Sequence, residues 1–198
     1  MSRPEVDPIE RFRALLARAR ATHLPEPTAM ALATATASGL PSVRMVLLKE
    51  ADERGFVFYT NLGSRKAREL AENPRAALCF HWQPLEVQVR VEGKVEPVSP
   101  VEADAYFAGR PRGSQIGAWA SKQSTLLASR EELEERIRSV NERYSDGEVP
   151  RPEFWSGFRV VPERIEFWFG QPSRLHDREV YIRDAAEPNG WWVERLYP

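Results

Sequence analysis

The chain has 198 residues, 42% hydrophobic and 10% aromatic, which suits one domain with a sizeable core. A formal net charge of −1 excludes general electrostatic attraction to nucleic acid or an anionic membrane, so any anion must be gripped locally. A single cysteine and three scattered histidines (His23, His81, His176) exclude an intrachain disulfide and offer no metal-ligand spacing.

There is no long apolar run and no signal-peptide pattern, so a soluble, cytoplasmic protein is expected. In chain order, Asp7-Pro8-Ile9-Glu10 carries a helix start: a capping Asp, Pro in the first turn and Glu three residues after the cap. Ile9, Phe12, Leu15, Leu16 and Ala19 then form one apolar stripe, so residues 1–24 are expected to pack a helix on the body before Pro25 and Pro27. A Thr-rich segment from Thr28 to Ala37 and the turn Ser38-Gly39-Leu40-Pro41 lead into the next strand.

The runs Met45–Leu48 and Phe56–Tyr59 flank a charged segment ending in Gly55 and read as a hairpin, giving an antiparallel meander of three strands. Thr60-Asn61-Leu62-Gly63-Ser64 then turns and caps a helix whose inward residues are expected to be Ala67, Leu70 and Ala71. Arg65 and Lys66 occupy the first turn of that helix, where the free N–H groups and the dipole favour anions over cations. With Arg44 and Lys49 bracketing the preceding strand, four cations are expected to converge on a candidate phosphate site; solvated surface cations are the equal alternative on these residues alone.

Asn73-Pro74 breaks the helix, and Ala76–Trp82 is a strand in which Cys79 reads as a buried core thiol. Val87, Val89, Val91 and Val95 alternate with Gln88, Arg90, Glu92 and Lys94, with Gly93 placed for a bulge. Ser99-Pro100-Val101-Glu102 and Ser129-Arg130-Glu131-Glu132 open two further helices with capping boxes. Between them, residues 109–124 mix cations, hydroxyls and amides and read as a ligand-contacting loop. Phe158–Val161, Ile165–Phe169, Val180–Arg183 and Trp191–Arg195 are short strands, with Arg174-Leu175-His176-Asp177-Arg178 wedged between two of them. Strands spaced by turns, with helices inserted rather than alternating, argue for a mainly antiparallel β-barrel.

The segments RMVLLK, GFVFYTNLGSRKA, QVRVEGKVE, YFAGRPRGSQIGAWASKQS, VPRPEFWSGFRV, IEFWFG and RLHDREVY occur in this order from Arg44 to the C-terminal section. Together they resemble the pyridoxine/pyridoxamine 5′-phosphate oxidases. The resemblance implies an antiparallel Greek-key split β-barrel with inserted helices. It implies one FMN-binding domain over 1–198, a C-terminal substrate-binding section over 171–198, and a homodimer with FMN at the interface.

Carried onto matching positions, it implies FMN contacts from Arg44, Met45, Val46, Leu47, Leu48, Lys49, Tyr59, Thr60, Arg65, Lys66, Gln88, Gln123, Ser124, Trp168 and Arg178. It implies a substrate-phosphate cradle of Lys49, Tyr106, Arg110 and Ser114, cations and hydroxyls that suit a dianion without a metal. Arg174, Leu175 and His176 are implied to bind the substrate, with Arg174 and His176 catalytic. The implied reaction oxidises pyridoxine or pyridoxamine 5′-phosphate to pyridoxal 5′-phosphate, with O2 as acceptor and H2O2 as product. No metal, membrane or nucleic-acid partner is implied.

Two departures from the family pattern stand out. Val87 occupies a position where the family usually has Arg, and strand parity puts Arg90 on the opposite face. The chain also starts close to its first helix, whereas many relatives carry an earlier Arg- and Tyr-containing segment, so a wetter site is expected. Two other functions compete: a related FMN oxidase acting on a dihydrophenazine-type ring, and a non-catalytic module binding flavin or pyridoxal phosphate.

Overall fold

The computed structural model describes residues 2–186 and 190–198. Met1 and residues 187–189, within the expected 1–24 and 171–198 sections, lie outside the described residues.

The N-terminal helix α1 (Pro8–Arg20) starts where the Asp7 carboxylate accepts from the Ile9 and Glu10 N–H groups at 2.8 and 3.4 Å. Its stripe of Ile9, Phe12, Leu15, Leu16 and Ala19 is buried as expected. Phe12 is the hub, meeting Phe56 and Phe80 edge-on with both ring centroids at 4.9 Å.

Among the described residues nine strands follow in one antiparallel sheet: β1 (Ala29–Ala35), β2 (Pro41–Leu47), β3 (Glu50–Asp52), β4 (Gly55–Asn61), β5 (Arg75–Trp82), β6 (Val87–Pro97), β7 (Trp155–Phe169), β8 (Asp177–Arg183) and β9 (Trp191–Leu196). The order along the sheet is β2-β1-β5-β6-β7-β4-β3, with β8 and β9 attached through β7. This is a curled half-barrel with helices at its margins: α2 (Arg65–Glu72), α3 (Pro100–Ala108), α4 (Arg112–Ala120) and α5 (Arg130–Arg143). The mainly β, split-barrel expectation holds.

Strand β7 makes the split. One edge pairs with β6 along most of its fifteen residues. The other edge is shared: Trp155–Val160 pair with β4, and Arg164–Phe169 pair with β8. Phe158–Val161 and Ile165–Phe169 are therefore one strand and not two. Pro162 does not end it, because the register with β6 shifts between Glu92 and Gly93. Gly93 carries the bulge as expected; a Cβ there would sit 1.9 Å from the Val161 carbonyl oxygen.

Three other expectations are corrected. The run Met45–Leu48 does not pair with Phe56–Tyr59: β2 pairs with β1, and the hairpin to β4 comes from β3. The reason is a step at Leu48, where the chain leaves one half of the sheet and docks on the other through the Lys49 N–H to Val57 carbonyl bond of 2.8 Å. Residues 112–120 form a helix and not a loop. Ile116 and Ala120 bury one side of it, and the Trp119 indole N–H is anchored on the Pro150 carbonyl at 2.8 Å. That packing offsets the low helix propensity of Gly113 and Gly117. Cys79 is half-buried, because it faces away from its neighbours Leu78 and Phe80, which fill the core.

Candidate functional site

The end of β4 and the start of α2 meet as the sequence indicates. The Ser64 side chain caps α2 by accepting from the Ala67 N–H, and no acidic side chain lies in the first turn. The buried face of α2 differs from expectation, holding Lys66, Ala67, Glu69 and Leu70 while Ala71 is exposed. Two ionised side chains thus take positions that an apolar stripe would fill.

Lys66 is only 8% exposed and reaches Thr60 Oγ1 (3.2 Å), Ser64 Oγ (3.4 Å) and the Gln123 side-chain oxygen (3.1 Å). All three are neutral acceptors, and no carboxylate pairs with Lys66 among the described residues. Burial first, and the Arg44 charge second, pull its pKa below the ordinary lysine value. A buried cation without a counter-ion is costly unless a ligand provides one.

Lys66 faces a cleft of about 640 Å³ between β2, β4, α3 and α4. Its walls include Met45, Val46, Leu47 and Lys49 from the β2 side, and Tyr59 and Thr60 from β4. Tyr106, Arg110, Ser114 and Gln123 complete it from the α3–α4 side. One concavity therefore gathers members of both residue sets that the resemblance assigns to the cofactor and to the substrate phosphate.

Trp155, which sequence reasoning missed, is part of the wall. Tyr59 stacks on Tyr106 at 4.0 Å and on Trp155 at 5.3 Å, while the Arg110 guanidinium lies 4.6 Å over the Trp155 ring. Stacking fixes Arg110 without consuming its hydrogen bonds, and its Nη1 is buried with no partner. Burial lowers the Arg110 pKa and, together with nearby carboxylates, raises that of Tyr59 to about 12, so Tyr59 stays protonated.

Other implied contacts lie outside this cleft. Leu48 is in the core. Arg44 and Arg65 both engage Glu69: Arg44 Nη2 at 3.3 Å and Arg65 Nε at 2.8 Å. Ser124 follows Gln123 in a left-handed conformation (φ 69°) and is exposed. Glu69 was also missed, because a glutamate four residues after Arg65 looks like an ordinary solvated helix pair.

Gln88, Trp168 and Arg178 form a second group, as cross-strand neighbours on β6, β7 and β8. His176 packs on Trp168 with ring centroids 4.4 Å apart, and its Nδ1 accepts from the Gln171 N–H at 3.2 Å. Arg174 is exposed and, like Ser173, has positive φ (62° and 58°), a strained turn of the kind that collects at functional sites. Arg178 is held by the buried Glu166 through bonds of 2.9 and 3.2 Å, and Glu166 also binds Arg90. Val87 points into the core while Gln88 and Arg90 share the other face, as parity requires. None of Gln88, Trp168, Arg174, His176 or Arg178 lines the cleft at Lys66.

Residues 16–144 match the family described as pyridoxamine 5′-phosphate oxidase, and residues 155–198 match the pyridoxine 5′-phosphate oxidase C-terminal dimerisation region. The chain is 60% identical over 192 residues to a pyridoxine/pyridoxamine 5′-phosphate oxidase of Myxococcus xanthus (strain DK1622), covering 97% of this chain and 92% of that one. It is 58% identical to the protein of the same name from Gluconobacter oxydans (strain 621H), covering 98% and 96%. Among solved structures, PhzG from Burkholderia lata 383 in complex with tetrahydrophenazine-1-carboxylic acid superposes with a TM-score of 0.91 at 34% identity, covering 98% of this chain and 94% of that one. A pyridoxamine 5′-phosphate oxidase-related, FMN-binding protein of Nostoc punctiforme PCC 73102 shares the fold at a TM-score of 0.77 and 18% identity, covering 100% of both chains. Among the described residues no helix is long and apolar enough to cross a membrane, and no cluster of His, Cys, Asp or Glu could hold a metal.

Proposed function

The chain belongs to the pyridoxamine 5′-phosphate oxidase family, and from that premise we propose that it is an FMN-dependent oxidase of pyridoxine 5′-phosphate and pyridoxamine 5′-phosphate. Its product would be pyridoxal 5′-phosphate, with O2 reduced to H2O2. The observation that carries this reading is one cleft holding two cations with no carboxylate partner among the described residues. They are the buried Lys66 ammonium, bonded only to neutral acceptors, and Arg110, whose Nη1 has no partner. Two phosphates, one from the coenzyme and one from the substrate, are the ligands that such a pair fits.

On this reading Lys66, Thr60 and Gln123 hold the flavin phosphate, with Arg44 and Arg65 behind them. The strand segment from Met45 to Lys49 and Ser124 flank the same ligand. Lys49, Tyr106, Arg110 and Ser114 receive the substrate phosphate, and the anchored phosphate presets the orientation of the ring. FMN, when bound, supplies the acceptor for two electrons from the substrate's 4′ carbon and their passage to O2. Arg174 and His176, with Leu175, meet the pyridine ring, orient the 4′ carbon and assist removal of the proton from the hydroxyl or amine it carries.

These two groups come together across a homodimer. The cleft residue Trp155 and the second group's Trp168 lie near opposite ends of the fifteen-residue β7, with up to roughly 40 Å of strand between them at about 3.3 Å per residue. Within one subunit the second group does not line the cleft, and a second copy can bring its own second group to it. The outward face of β2 supports the contact, with Val43 69% and Met45 64% exposed next to the cleft. The match to a C-terminal dimerisation region supports it too.

A second reading, oxidation of a dihydrophenazine-type acid, is favoured by the similarity to PhzG. A phosphate cradle has no purpose for that substrate. One preparation offered both substrates decides: yellow protein producing peroxide with pyridoxine 5′-phosphate is expected. Yellow protein inert to it but active on the dihydrophenazine acid would overturn the first reading, and colourless, inert protein would overturn both.

A further inference from the structure

Glu69 is 4% exposed and makes four contacts in the space of one carboxylate. Its Oε1 accepts from Arg65 Nε at 2.8 Å, while Oε2 accepts from Ser42 Oγ at 2.5 Å, from the Thr34 hydroxyl, and from Arg44 Nη2 at 3.3 Å. Arg44 is fixed further by Thr34 Oγ1 at 2.6 Å and by the Leu32 carbonyl at 3.2 Å. A buried carboxylate beside a site built for an anion is electrostatically unfavourable for that anion. It belongs there only if it does something the cations cannot do alone.

From this geometry we infer that Glu69 is a positioning residue for the coenzyme phosphate: it holds the guanidinium groups of Arg44 and Arg65 in one arrangement behind Lys66, so that the phosphate meets a fixed set of donors. Three cations so close would otherwise repel one another and splay toward water. Glu69 joins two of them across the gap between β2 and α2, while Lys66 is left unpaired for the ligand. The division of labour is thus one anion for two arginines and one incoming phosphate for the lysine. The inference rests on the proposed FMN site and adds to it the residue that organises its charge.

The test compares FMN with riboflavin, which has the same ring system without the phosphate, in equilibrium titrations of the flavin-free protein followed by quenching of flavin fluorescence. Glu69→Ala is expected to weaken FMN tenfold or more and to leave riboflavin within twofold. Equal losses for both flavins would reduce Glu69 to a fold-maintaining residue, and no loss for either would remove it from the site; both results overturn the inference. Wild-type protein that binds the two flavins equally would instead overturn the phosphate site itself. Should Glu69→Ala not fold, Glu69→Gln serves, since it keeps the size but sets an amide N–H group against Arg65 or Arg44. An FMN-selective loss is expected there as well, and its absence counts against the inference.

Discussion

The cleft group around Lys66 and the sheet group around Trp168 are built from similar parts, but their charges are balanced differently. Each has a buried glutamate holding two arginines, Glu69 with Arg44 and Arg65, and Glu166 with Arg90 and Arg178. In the cleft, cationic capacity is left over: Lys66 has only neutral partners, and Arg110 has an unused nitrogen. In the sheet group both arginines have a carboxylate: Arg178 is committed to Glu166 and to the Tyr197 carbonyl at 2.9 Å, Arg90 is paired with Glu166 although its Nε is buried without a partner, and His176 already accepts a backbone N–H. The cleft is a receptor ready for anions. The sheet group is a surface that acts when something else brings the ligand to it.

The strongest way to break that comparison is to separate the two groups genetically. Arg110→Ala disables a cleft, and Arg174→Ala disables a sheet group; each homodimer is expected to be nearly inactive. Mixing the two after reversible dissociation puts an intact cleft opposite an intact sheet group in each heterodimer, so activity should return. Mixtures that stay inactive would mean that each subunit completes its own site.

Lys66→Met should have a smaller, two-sided effect. Removing a buried cation without a counter-ion relieves desolvation, so the flavin-free variant should melt at a higher temperature than the parent. Flavin retention should fall by at least tenfold, on the order of 1.5–3 kcal/mol for a charged hydrogen bond lost. Undiminished flavin occupancy in gel-filtered protein would show that the leftover charge is not meant for a ligand.

Acid should give the smallest change, because it acts on what the two groups share. Burial pushes Glu69 up, but bonds from Ser42, Thr34, Arg65 and Arg44 outweigh it and hold the carboxyl at about 2. For Glu166, burial is likewise outweighed by Arg178 and Arg90, and the net shift is downward. Glu102, capped by Ser99 and next to Arg54 and Arg159, also sits at about 2. A carboxyl depressed in the folded state stabilises above its ordinary value of 4.5 and loses that contribution as pH falls toward 2. Thermal midpoints should therefore be flat in this respect above pH 5 and drop below pH 4.5, with Glu69→Gln less acid-sensitive than the parent. An equally steep drop in that variant would count against Glu69 as one of the groups responsible.

Much of this was legible in the chain. Helix α1 and strand β6 announce themselves because their buried residues keep strict 3.6- and 2-residue periods, and both carry their own start or bulge signals. Partners further along the chain were not legible. Nothing local in Met45–Leu48 says that it pairs backward with Ala29–Ala35 instead of forward, and the pairing it takes leaves Met45 and Leu47 exposed, against what their apolar character suggests. Helix α4 was hidden by its two glycines, and the continuity of β7 by Pro162, because in both cases the compensation comes from residues distant in sequence, Pro150 and Gly93. The cleft's cations were visible as an anomaly at the start of α2. The glutamate that organises them was not, because an i, i+4 Arg–Glu pair looks the same whether it is wet or buried.

The shared edge of β7 has a mechanical consequence. Between Val160, the last partner of β4, and Arg164, the first partner of β8, no strand pairs with that edge. Among the described residues the β8–β9 ribbon therefore joins the sheet through β7, with the Ser2–Val193 bridge and Arg11 on Glu179 and Tyr181 as its other ties. Opening the ribbon exposes Val180, Tyr181 and Trp191 but leaves the bonding of β4 and the cleft walls in place, so it is expected as a partial opening below the global unfolding energy. Amide protons of Asp177–Arg183 would then trade with deuterium together and ahead of those of β4. A bound molecule clamped against Trp168 would slow that exchange without any change in the rest of the barrel.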